Sequence, residues 1–486
     1  MVADWSITKL PTILRSLALA AVALCIGVLP WANVKLPGST HSLIPWLACT
    51  AFVCWLVSRI AEWKSPRPHE RAVWWMVLLI SAYGWLITCF PSGMVDRTTG
   101  AILDLDKSPW LAFGTLDQEI STQAMLYISS ALMLLVVALD LAFERTGRYV
   151  LALAVTFAGF VTAVAGLCLQ RTADLSTLWG VKHIPKFVFG LFWYHGNTAA
   201  FLNLSWPVSV WLCQLLLHYG LRTFRQQMAL AVLVVAAMVQ IIAVFVNISK
   251  VGHFLLIFEI LLLVVAGLVV WRPHFETLPF SKRRLALFAL IAVGLMVLGA
   301  WLSGAGAMLG RWDNFSQRHY DDPARRHAAV MALQIGADHG WTGTGPGTFE
   351  WVAAHYTPLD PMLQEGRWRH AHNDYAEFFA EWGWPGACFF ILLLALPGRR
   401  LFMALRQAFF NDDRYRMSFE RRAGLICFAT AITSLLLHAV VDFPLQIDAI
   451  RPLFAAMVGV VLAMTSSSAS TMSRRDMNGE RKRAGE

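Results

Sequence analysis

The chain has 486 residues, of which 57% are hydrophobic and only 15% are charged, with a formal net charge of +9. Soluble domains carry about 25% charged residues, so the composition excludes a soluble multi-domain enzyme and indicates a polytopic membrane protein. In a soluble chain the positive charge would suggest a nucleic-acid partner. Here it is concentrated in short connections, where it sets membrane orientation, and we expect no nucleic-acid partner.

Lys9 and Arg15 are the first cations of the chain, and an apolar run from Ser16 to Trp31 follows them. A signal peptide has the same pattern, but no small-x-small cleavage site clearly follows this run, so we expect the first membrane helix. The eight cysteines lie in or beside apolar segments and form no CxxC pair. We interpret them as small buried apolar residues rather than as a disulfide or zinc framework.

Apolar segments of about 20 residues are long enough to cross a bilayer, and the chain contains about twelve of them. The predicted fold is an all-α polytopic membrane protein with about twelve transmembrane helices and a large periplasmic loop that contains short helices. The predicted spans are Pro11–Asn33, Leu43–Ile60, Ala72–Met94, Thr122–Phe143, Tyr149–Gln170, Asn197–Leu217, Gln227–Asn247, Val251–Trp271, Leu285–Ser303, Pro385–Leu405, Ala423–Val441 and Leu453–Met464.

These spans divide the chain into four parts. Residues 1–303 hold the first nine spans, residues 304–383 form the periplasmic loop, and residues 384–465 hold the last three spans. Residues 466–486 are Ser-rich and then charged, and we expect a disordered cytoplasmic tail. Lysines and arginines mark alternate connections and both termini, which predicts an even number of spans with both ends in the cytoplasm.

The long loop contains two predicted short helices. The first covers Pro323–Gly340, with Ala329, Leu333 and Ile335 expected on its apolar side, and the second covers Glu350–Tyr356. Between them, residues 343–349 form a glycine-rich turn. It has neither a Walker lysine nor a G-x-G-x-x-G pattern, so we interpret Gly345 and Gly347 as residues of a positioning turn rather than of a phosphate cradle.

The end of the loop carries two histidines, His370 and His372, followed by Asn373 and Asp374. On a helix His370 and Asp374 would be four residues apart and could pair, and a carboxylate behind an imidazole strengthens it as a base. The alternative is a helix cap at the membrane interface that has no catalytic part. A zinc site is disfavoured because no third ligand is compelling.

Cations on the same side of the membrane are the second candidate group. Lys250 lies between two spans with almost no connecting loop, while Arg311, Arg325 and Arg326 lie in the long loop. Basic groups near a bilayer suit a lipid-linked phosphate or diphosphate, although they can also reach lipid headgroups without any catalytic part. Asn197 opens a span and suits a helix cap.

At this point the residues resemble a known family. The run from His370 to Tyr375, followed by Glu381-Trp382-Gly383 and Pro385-Gly386, is similar to the signature of the O-antigen ligase superfamily, which includes O-antigen polymerases and bacterial protein O-oligosaccharyltransferases. Arg326 through Gly347 with Phe349, Gly196-Asn197, and Ser249-Lys250 resemble further motifs of the family. Two positions depart from its pattern: lysine stands at position 250 in place of arginine, and Val330 in place of an aromatic residue.

The resemblance implies glycosyl transfer at the periplasmic face of the bacterial inner membrane, by a metal-independent inverting enzyme without a cofactor. The donor would be a glycan on undecaprenyl diphosphate, and the acceptor a hydroxyl of lipid A–core, a glycan or a protein. We expect His372 to be the base, with Asp374 or His370 in support. Lys250 and Arg326, with Arg325 and Arg311, would bind the diphosphate, and Asn373, Gly345, Gly347 and Asn197 would position these groups.

Two alternatives stay open. The chain could be an O-antigen or exopolysaccharide polymerase, or a protein O-oligosaccharyltransferase, because the sequence does not identify the acceptor. It could also be a transporter of about twelve spans, for which Glu259 inside the eighth span is the best evidence. Most other charged residues lie outside the spans, which favours the enzyme.

Overall fold

The computed structural model describes residues 2–33, 40–63, 67–105, 113–169, 188–271, 321–357, 368–410 and 417–483. These residues are almost entirely helical, because a chain surrounded by lipid must satisfy its backbone hydrogen bonds within each segment. The α-helices are α1 Val2–Val28, α2 Thr40–Ala61, α3 Pro68–Cys89, α4 Gln118–Leu141, α5 Arg145–Leu169, α6 His195–Tyr219, α7 Phe224–Val246, α8 Lys250–Trp271, α9 Asp321–Asp338, α10 Phe349–Tyr356, α11 Asp374–Phe410, α12 Phe419–His438 and α13 Ile450–Arg483.

Short elements complete the described part of the chain. Strands β1 (Gly93–Val95) and β2 (Ile102–Asp104) pair in antiparallel register between α3 and α4. Single 3-10 turns follow α1 at Leu29–Asn33 and precede α13 at Pro444–Gln446.

Nine helices of the described part are long and apolar enough to cross a membrane, which confirms an all-α polytopic membrane protein. Helix α12 overlaps the predicted span Ala423–Val441 but begins four residues earlier, with charged residues in its first turn. The apolar part of α13 is shorter and covers Ile450–Ser466. The predicted span Leu285–Ser303 lies outside the described residues.

Close helix packing in the core depends on small residues. A Cβ added to Gly459 of α13 would lie 2.6 Å from the Leu135 carbonyl oxygen of α4, and one added to Gly424 of α12 would lie 3.0 Å from the Trp211 ring of α6. Small residues let membrane helices approach until their backbones nearly touch. The cysteines contribute less than we expected: all eight are free, but only Cys25, Cys213 and Cys427 are buried.

Buried ion pairs tie the helices together at one end of the bundle. Arg59 of α2 contacts Asp140 of α4 at 2.9 Å and Glu70 of α3 at 3.3 Å, and Arg15 of α1 contacts Asp140 at 3.2 Å. Nearby, Arg148 of α5 contacts Glu420 of α12 at 2.7 Å. We call this side, where α4 ends and α5 begins, the basic end of the bundle.

The two short helices predicted in the long loop are present as α9 and α10, and both pack against α11. The buried face of α9 differs in part from the expected one, because Ile335 is buried but Leu333 is exposed and Ala329 is only half-buried. The buried face of α9 consists of Ala328, Met331, Ala332 and Ile335.

The C-terminal helix α13 differs from the prediction. It continues to Arg483, so the segment for which composition predicted disorder is helical.

Candidate active site

The candidate site forms where the start of α11 meets the end of α12, opposite the basic end. Asn373 caps α11, because its Oδ1 accepts a hydrogen bond from the Ala376 amide at 2.9 Å. Its Nδ2 donates to the Val440 carbonyl at 2.8 Å, and the Asp374 amide donates to the Ala439 carbonyl at 2.9 Å. Asn373 therefore joins the two segments.

This joint brings His372 to a carboxylate far away in the sequence. His372 Nδ1 lies 3.0 Å from Asp442 Oδ1. Asp442 is buried, whereas the His372 side chain keeps 17% of its surface exposed. A carboxylate only accepts hydrogen bonds, so the proton of the neutral imidazole sits on Nδ1 and leaves Nε2 as the basic nitrogen.

The backbone at His372 is strained, with φ of 51°. The left-handed region costs a non-glycine residue about 1–2 kcal/mol, and such strain persists where surrounding contacts over-determine the conformation. Here the fixed neighbours are the Asn373 cap and the Asp442 contact, so the strain accompanies the geometry that a carboxylate-backed base needs.

Asp442 is held as an anion. Burial by itself would raise the pKa of its carboxyl, but the hydrogen bond from His372 and the imidazole of His438, 3.7 Å away, outweigh burial and hold that pKa well below its usual range. The Phe443 amide also points at Asp442 Oδ1, at 3.2 Å. This carboxylate can therefore stabilise positive charge on His372 throughout the neutral pH range.

Tyr194, at the entrance to α6, links Asp442 to the loop arginines. Arg325 Nη2 donates to the Tyr194 hydroxyl at 2.8 Å, and that hydroxyl interacts with Asp442. Burial and the Asp442 charge raise the pKa of Tyr194, so its hydroxyl stays protonated. A Cβ at Gly196 would lie 2.6 Å from Asp442 Oδ2, which explains why glycine follows here in the sequence.

His370 forms a second pair of the same type. Its Nδ1 lies 2.8 Å from Glu377 Oε1, while Glu377 Oε2 accepts from the Ala371 amide at 2.6 Å. Burial opposes protonation of His370, but the Glu377 carboxylate outweighs it and raises the pKa of His370 above its ordinary value. The His370 ring stacks on Phe443 at 4.3 Å, and His372 meets the same ring edge-on at 4.9 Å.

The expected pairing of His370 with Asp374 does not form. Asp374 Oδ2 instead accepts a hydrogen bond from the Leu445 amide at 2.8 Å, and the side chain is buried. Helical spacing does not apply to this pair, because α11 begins only at Asp374 and His370 precedes it. Asp374 is therefore not the carboxylate behind either histidine.

The glycine-rich turn lies between α11 and the segment around the start of α4, and it is hydrogen bonded to both. The Gly345 amide donates to the Glu381 carbonyl at 2.9 Å, the Thr344 amide donates to the Ala380 carbonyl at 3.0 Å, and Ser121 Oγ donates to the Pro346 carbonyl at 2.9 Å. Glu381 Oε1 then accepts from the Phe349 amide at 3.1 Å and fixes the start of α10. Because these amides already bind protein oxygens, the turn suits positioning better than phosphate binding.

The predicted cations occupy different environments. Lys250 is the first residue of α8, and this helix start packs on the start of α6, where Asn247 Nδ2 donates to the His195 carbonyl at 3.0 Å. Lys250 therefore lies at the same end of the bundle as His372. Arg325 reaches Tyr194, its neighbour Arg326 is exposed on α9, and Arg311 lies outside the described residues.

Two further candidates differ from expectation. Asn197 does not cap α6, which begins at His195, and its buried Oδ1 has no hydrogen-bond partner among the described residues. Glu259, the residue that favoured a transporter, is buried in α8 and accepts a hydrogen bond from Trp206 Nε1 at 2.5 Å. Within the described ranges, no group of three or more His, Cys, Asp or Glu side chains could hold a metal ion.

Sequence reasoning missed Asp442, Tyr194 and Glu377. Asp442 had one local signal, because it follows His438 by four residues at the end of an apolar span. Glu377 also had a local signal. An asparagine cap at position 373 predicts a helix start at Asp374, and acidic residues such as Glu377 favour the first turn of a helix. Tyr194 had no signal other than its place beside Gly196-Asn197.

The fold and the site define a polytopic membrane protein with two carboxylate-backed imidazoles and Arg325 gathered at one end of its helices. Residues 231–391 match the family model described as O-antigen ligase, so this part of the chain is similar to that family. It includes both histidines but ends before Asp442. No curated protein matches the chain.

Proposed function

We propose that this protein transfers a glycan from undecaprenyl diphosphate to an acceptor hydroxyl, with His372 as the general base and Asp442 as the carboxylate that orients it. The observation that carries the proposal is the 3.0 Å contact between His372 Nδ1 and Asp442 Oδ1. A hydroxyl is a weak nucleophile until a positioned base takes its proton. The basic Nε2 of His372 accepts that proton, and the Asp442 carboxylate stabilises the imidazolium that results.

The reaction balances as an inverting displacement. The acceptor oxygen forms a bond to the anomeric carbon as its proton passes to His372, and the bond between that carbon and the diphosphate oxygen breaks. The carrier leaves as a diphosphate whose extra negative charge needs fixed cations. Arg325 supports this role because its guanidinium is a permanent, planar cation that suits phosphate oxygens, and because its contact with Tyr194 holds it near Asp442. Lys250 and Arg326 supply further positive charge.

The site faces the periplasm in this proposal, and both termini lie in the cytoplasm. The basic end holds Arg15, Arg59 and Arg148, which agrees with the side on which positive charge collects in bacterial membrane proteins. The site occupies the opposite end of the helices. A lipid A–core hydroxyl is the proposed acceptor; a growing O-antigen or exopolysaccharide chain and a protein hydroxyl are the alternatives.

The test uses the purified full-length protein in liposomes with a defined polyprenyl-diphosphate-linked glycan and lipid A–core. The product is measured by mass spectrometry, with and without a chelator. His372→Ala is expected to lower the rate by about 100-fold or more, as loss of a general base does, and chelation is expected to have no effect. The matched control is His355→Ala, which removes an exposed histidine on α10. A His372→Ala rate close to that of the control would rule out His372 as the base.

A further inference from the structure

A cavity of about 370 Å³ lies among α3, α4, α11, α12 and α13, and its wall is almost wholly apolar. Ile80, Leu132, Leu401, Leu436 and Val458 are among the lining side chains. An apolar cavity of about 150 Å³ already excludes water and binds small hydrocarbons. A larger one within a bilayer protein is therefore expected to hold an apolar chain.

The length of the cavity matches one leaflet of a membrane. Arg451 and Val461 both line it and are ten residues apart on α13, which at 1.5 Å per residue corresponds to about 15 Å. The hydrocarbon core of a bilayer is about 30 Å thick, so the cavity covers about half of it. Phe402, also in the lining, is 68% exposed at the outer surface of α11 and marks the side open to lipid.

The end of the cavity near the start of α11 carries a carboxyl group and a guanidinium. Asp374 lines it, is 2% exposed, and has one carboxyl oxygen, Oδ1, without a hydrogen-bond partner among the described residues. Arg451 lines it as well; its Nε donates to the Leu445 carbonyl at 2.7 Å and its Nη2 to Gln446 Oε1 at 3.2 Å. The guanidinium keeps further N–H donors. The two side chains therefore offer one acceptor and one cation.

We propose that this cavity binds one phospholipid of the bilayer whose headgroup is zwitterionic and carries a primary ammonium. The ammonium donates to Asp374 Oδ1, the phosphate binds Arg451, and an acyl chain follows the apolar wall. An unpaired buried carboxyl oxygen is costly, and a charge-assisted hydrogen bond removes that cost. This site is separate from the histidine pairs, because neither histidine contacts Asp374.

The charges favour this lipid over the other membrane lipids. A phosphoglycerol lipid offers Asp374 Oδ1 only neutral hydroxyl donors, and a charge-assisted hydrogen bond from an ammonium is roughly twice as strong as a neutral one. A polyprenyl phosphate or diphosphate brings still more negative charge to a site with a single arginine. A phosphocholine lipid has the right charge, but its quaternary ammonium has no N–H to donate to Oδ1.

Native mass spectrometry of the purified full-length protein tests the proposal. The protein is delipidated in detergent and titrated with phosphatidylethanolamine, phosphatidylcholine and phosphatidylglycerol. One phosphatidylethanolamine is expected to bind at least about tenfold more tightly than each of the other two. Equal or tighter binding of phosphatidylcholine or of phosphatidylglycerol overturns the proposal.

Two variants locate the lipid. Gly398→Leu places a side chain into the cavity, and Gly398 has no atom within 4 Å of an added Cβ, so the helix accepts it. This variant is expected to lose at least about tenfold in affinity. Gly267→Leu is the matched control, because Gly267 on α8 is equally open and does not line the cavity. Equal affinity in the two variants means that the lipid binds elsewhere, and the proposal fails.

Asp374→Asn tests the headgroup contact, since the asparagine oxygen can still accept from the Leu445 amide. The preference for phosphatidylethanolamine over phosphatidylcholine is expected to disappear. This ratio is measured within one sample of folded protein, so partial loss of folding does not change it. A preference that survives the substitution excludes Asp374 as the ammonium site and overturns the proposal.

Discussion

His372 and Asp442 are 70 residues apart in the chain, yet Nδ1 of the first lies 3.0 Å from Oδ1 of the second. The contact exists because the start of α11 is hydrogen bonded to the end of α12 through Asn373 and Asp374. Two antiparallel helices thus present a base and its carboxylate from their adjoining ends. The hydrogen bonds that join the two helices therefore also position a candidate catalytic pair.

Substitution of Asp442 should therefore damage the reaction more than the fold. Asp442→Asn is expected to lower the transfer rate by about 100-fold, because an amide can turn its NH₂ towards His372 and force the wrong tautomer. The rate is measured in liposomes at saturating donor. Asp448→Asn is the control, since Asp448 lies on the same connection and is 3.9 Å from Arg451 rather than beside His372. Equal rates in the two variants would contradict the role of Asp442.

The His370–Glu377 pair should make stability depend on pH in one direction. The pKa of His370 is raised above the ordinary value of about 6.5, so the folded state favours the protonated form. The stabilisation is fully present below about pH 6.5 and is lost as the pH rises through the higher pKa of the folded protein.

His370→Gln isolates this effect, because glutamine can still donate to Glu377 but does not titrate. The difference in melting temperature between the natural protein and this variant is expected to shrink as the pH rises from 6 to about 9. His355→Gln is the control, with an exposed side chain on α10. A difference that grows with pH would mean that the sign of the shift at His370 is wrong.

Two glycines with positive φ allow the energetic cost of steric overlap to be measured apart from the cost of backbone strain. Gly345 has φ of 102° and an added Cβ would overlap the side chain of Thr115, whereas Gly100 has φ of 76° and no atom within 4 Å. Gly345→Ala is expected to destabilise by about 2–5 kcal/mol, the sum of overpacking and left-handed strain. Gly100→Ala carries the strain alone and is expected to cost about 1–2 kcal/mol. Thermal unfolding followed by size-exclusion chromatography measures both; equal losses would mean that the turn tolerates a side chain.

The helices were predictable because lipid leaves a chain few structural options. An apolar run of sufficient length must be helical, and the short loop helices carried their own local signals. Predicted and observed ends of the span that became α6, Asn197–Leu217 against His195–Tyr219, differ by two residues at each end. Where a span ended too late, at Met94, Pro91 stops the helix and the next residues form β1.

The site was predictable only in part, because its contacts cross the chain. The histidines stood out as polar groups beside an apolar span, but their carboxylates could not be assigned from spacing. Asp374 was the wrong partner because it is the first residue of α11 and accepts from the Leu445 amide. Glu377 reaches His370 from one turn further along α11, and Asp442 reaches His372 from the segment that follows α12. Spacing rules apply within one helix, and His370 and His372 precede theirs.

The basic end of the bundle offers a test of buried against exposed ion pairs. Arg15 contacts both Asp140, whose side chain is 3% exposed, and Glu144, whose side chain is 63% exposed. Asp140 also accepts from Arg59 at 2.9 Å and from Trp55 Nε1 at 3.0 Å. Asp140→Asn removes the carboxylate that Arg15 and Arg59 share and leaves buried Arg59 with Glu70 alone, at 3.3 Å, so it is expected to destabilise by about 3 kcal/mol. Glu144→Gln is expected to cost at most about 1 kcal/mol. Unfolding of each full-length variant in detergent measures the two losses of stability. Similar losses would show that Asp140 and Glu144 are screened to the same extent. Asp140 would then not hold α1, α2 and α4 together.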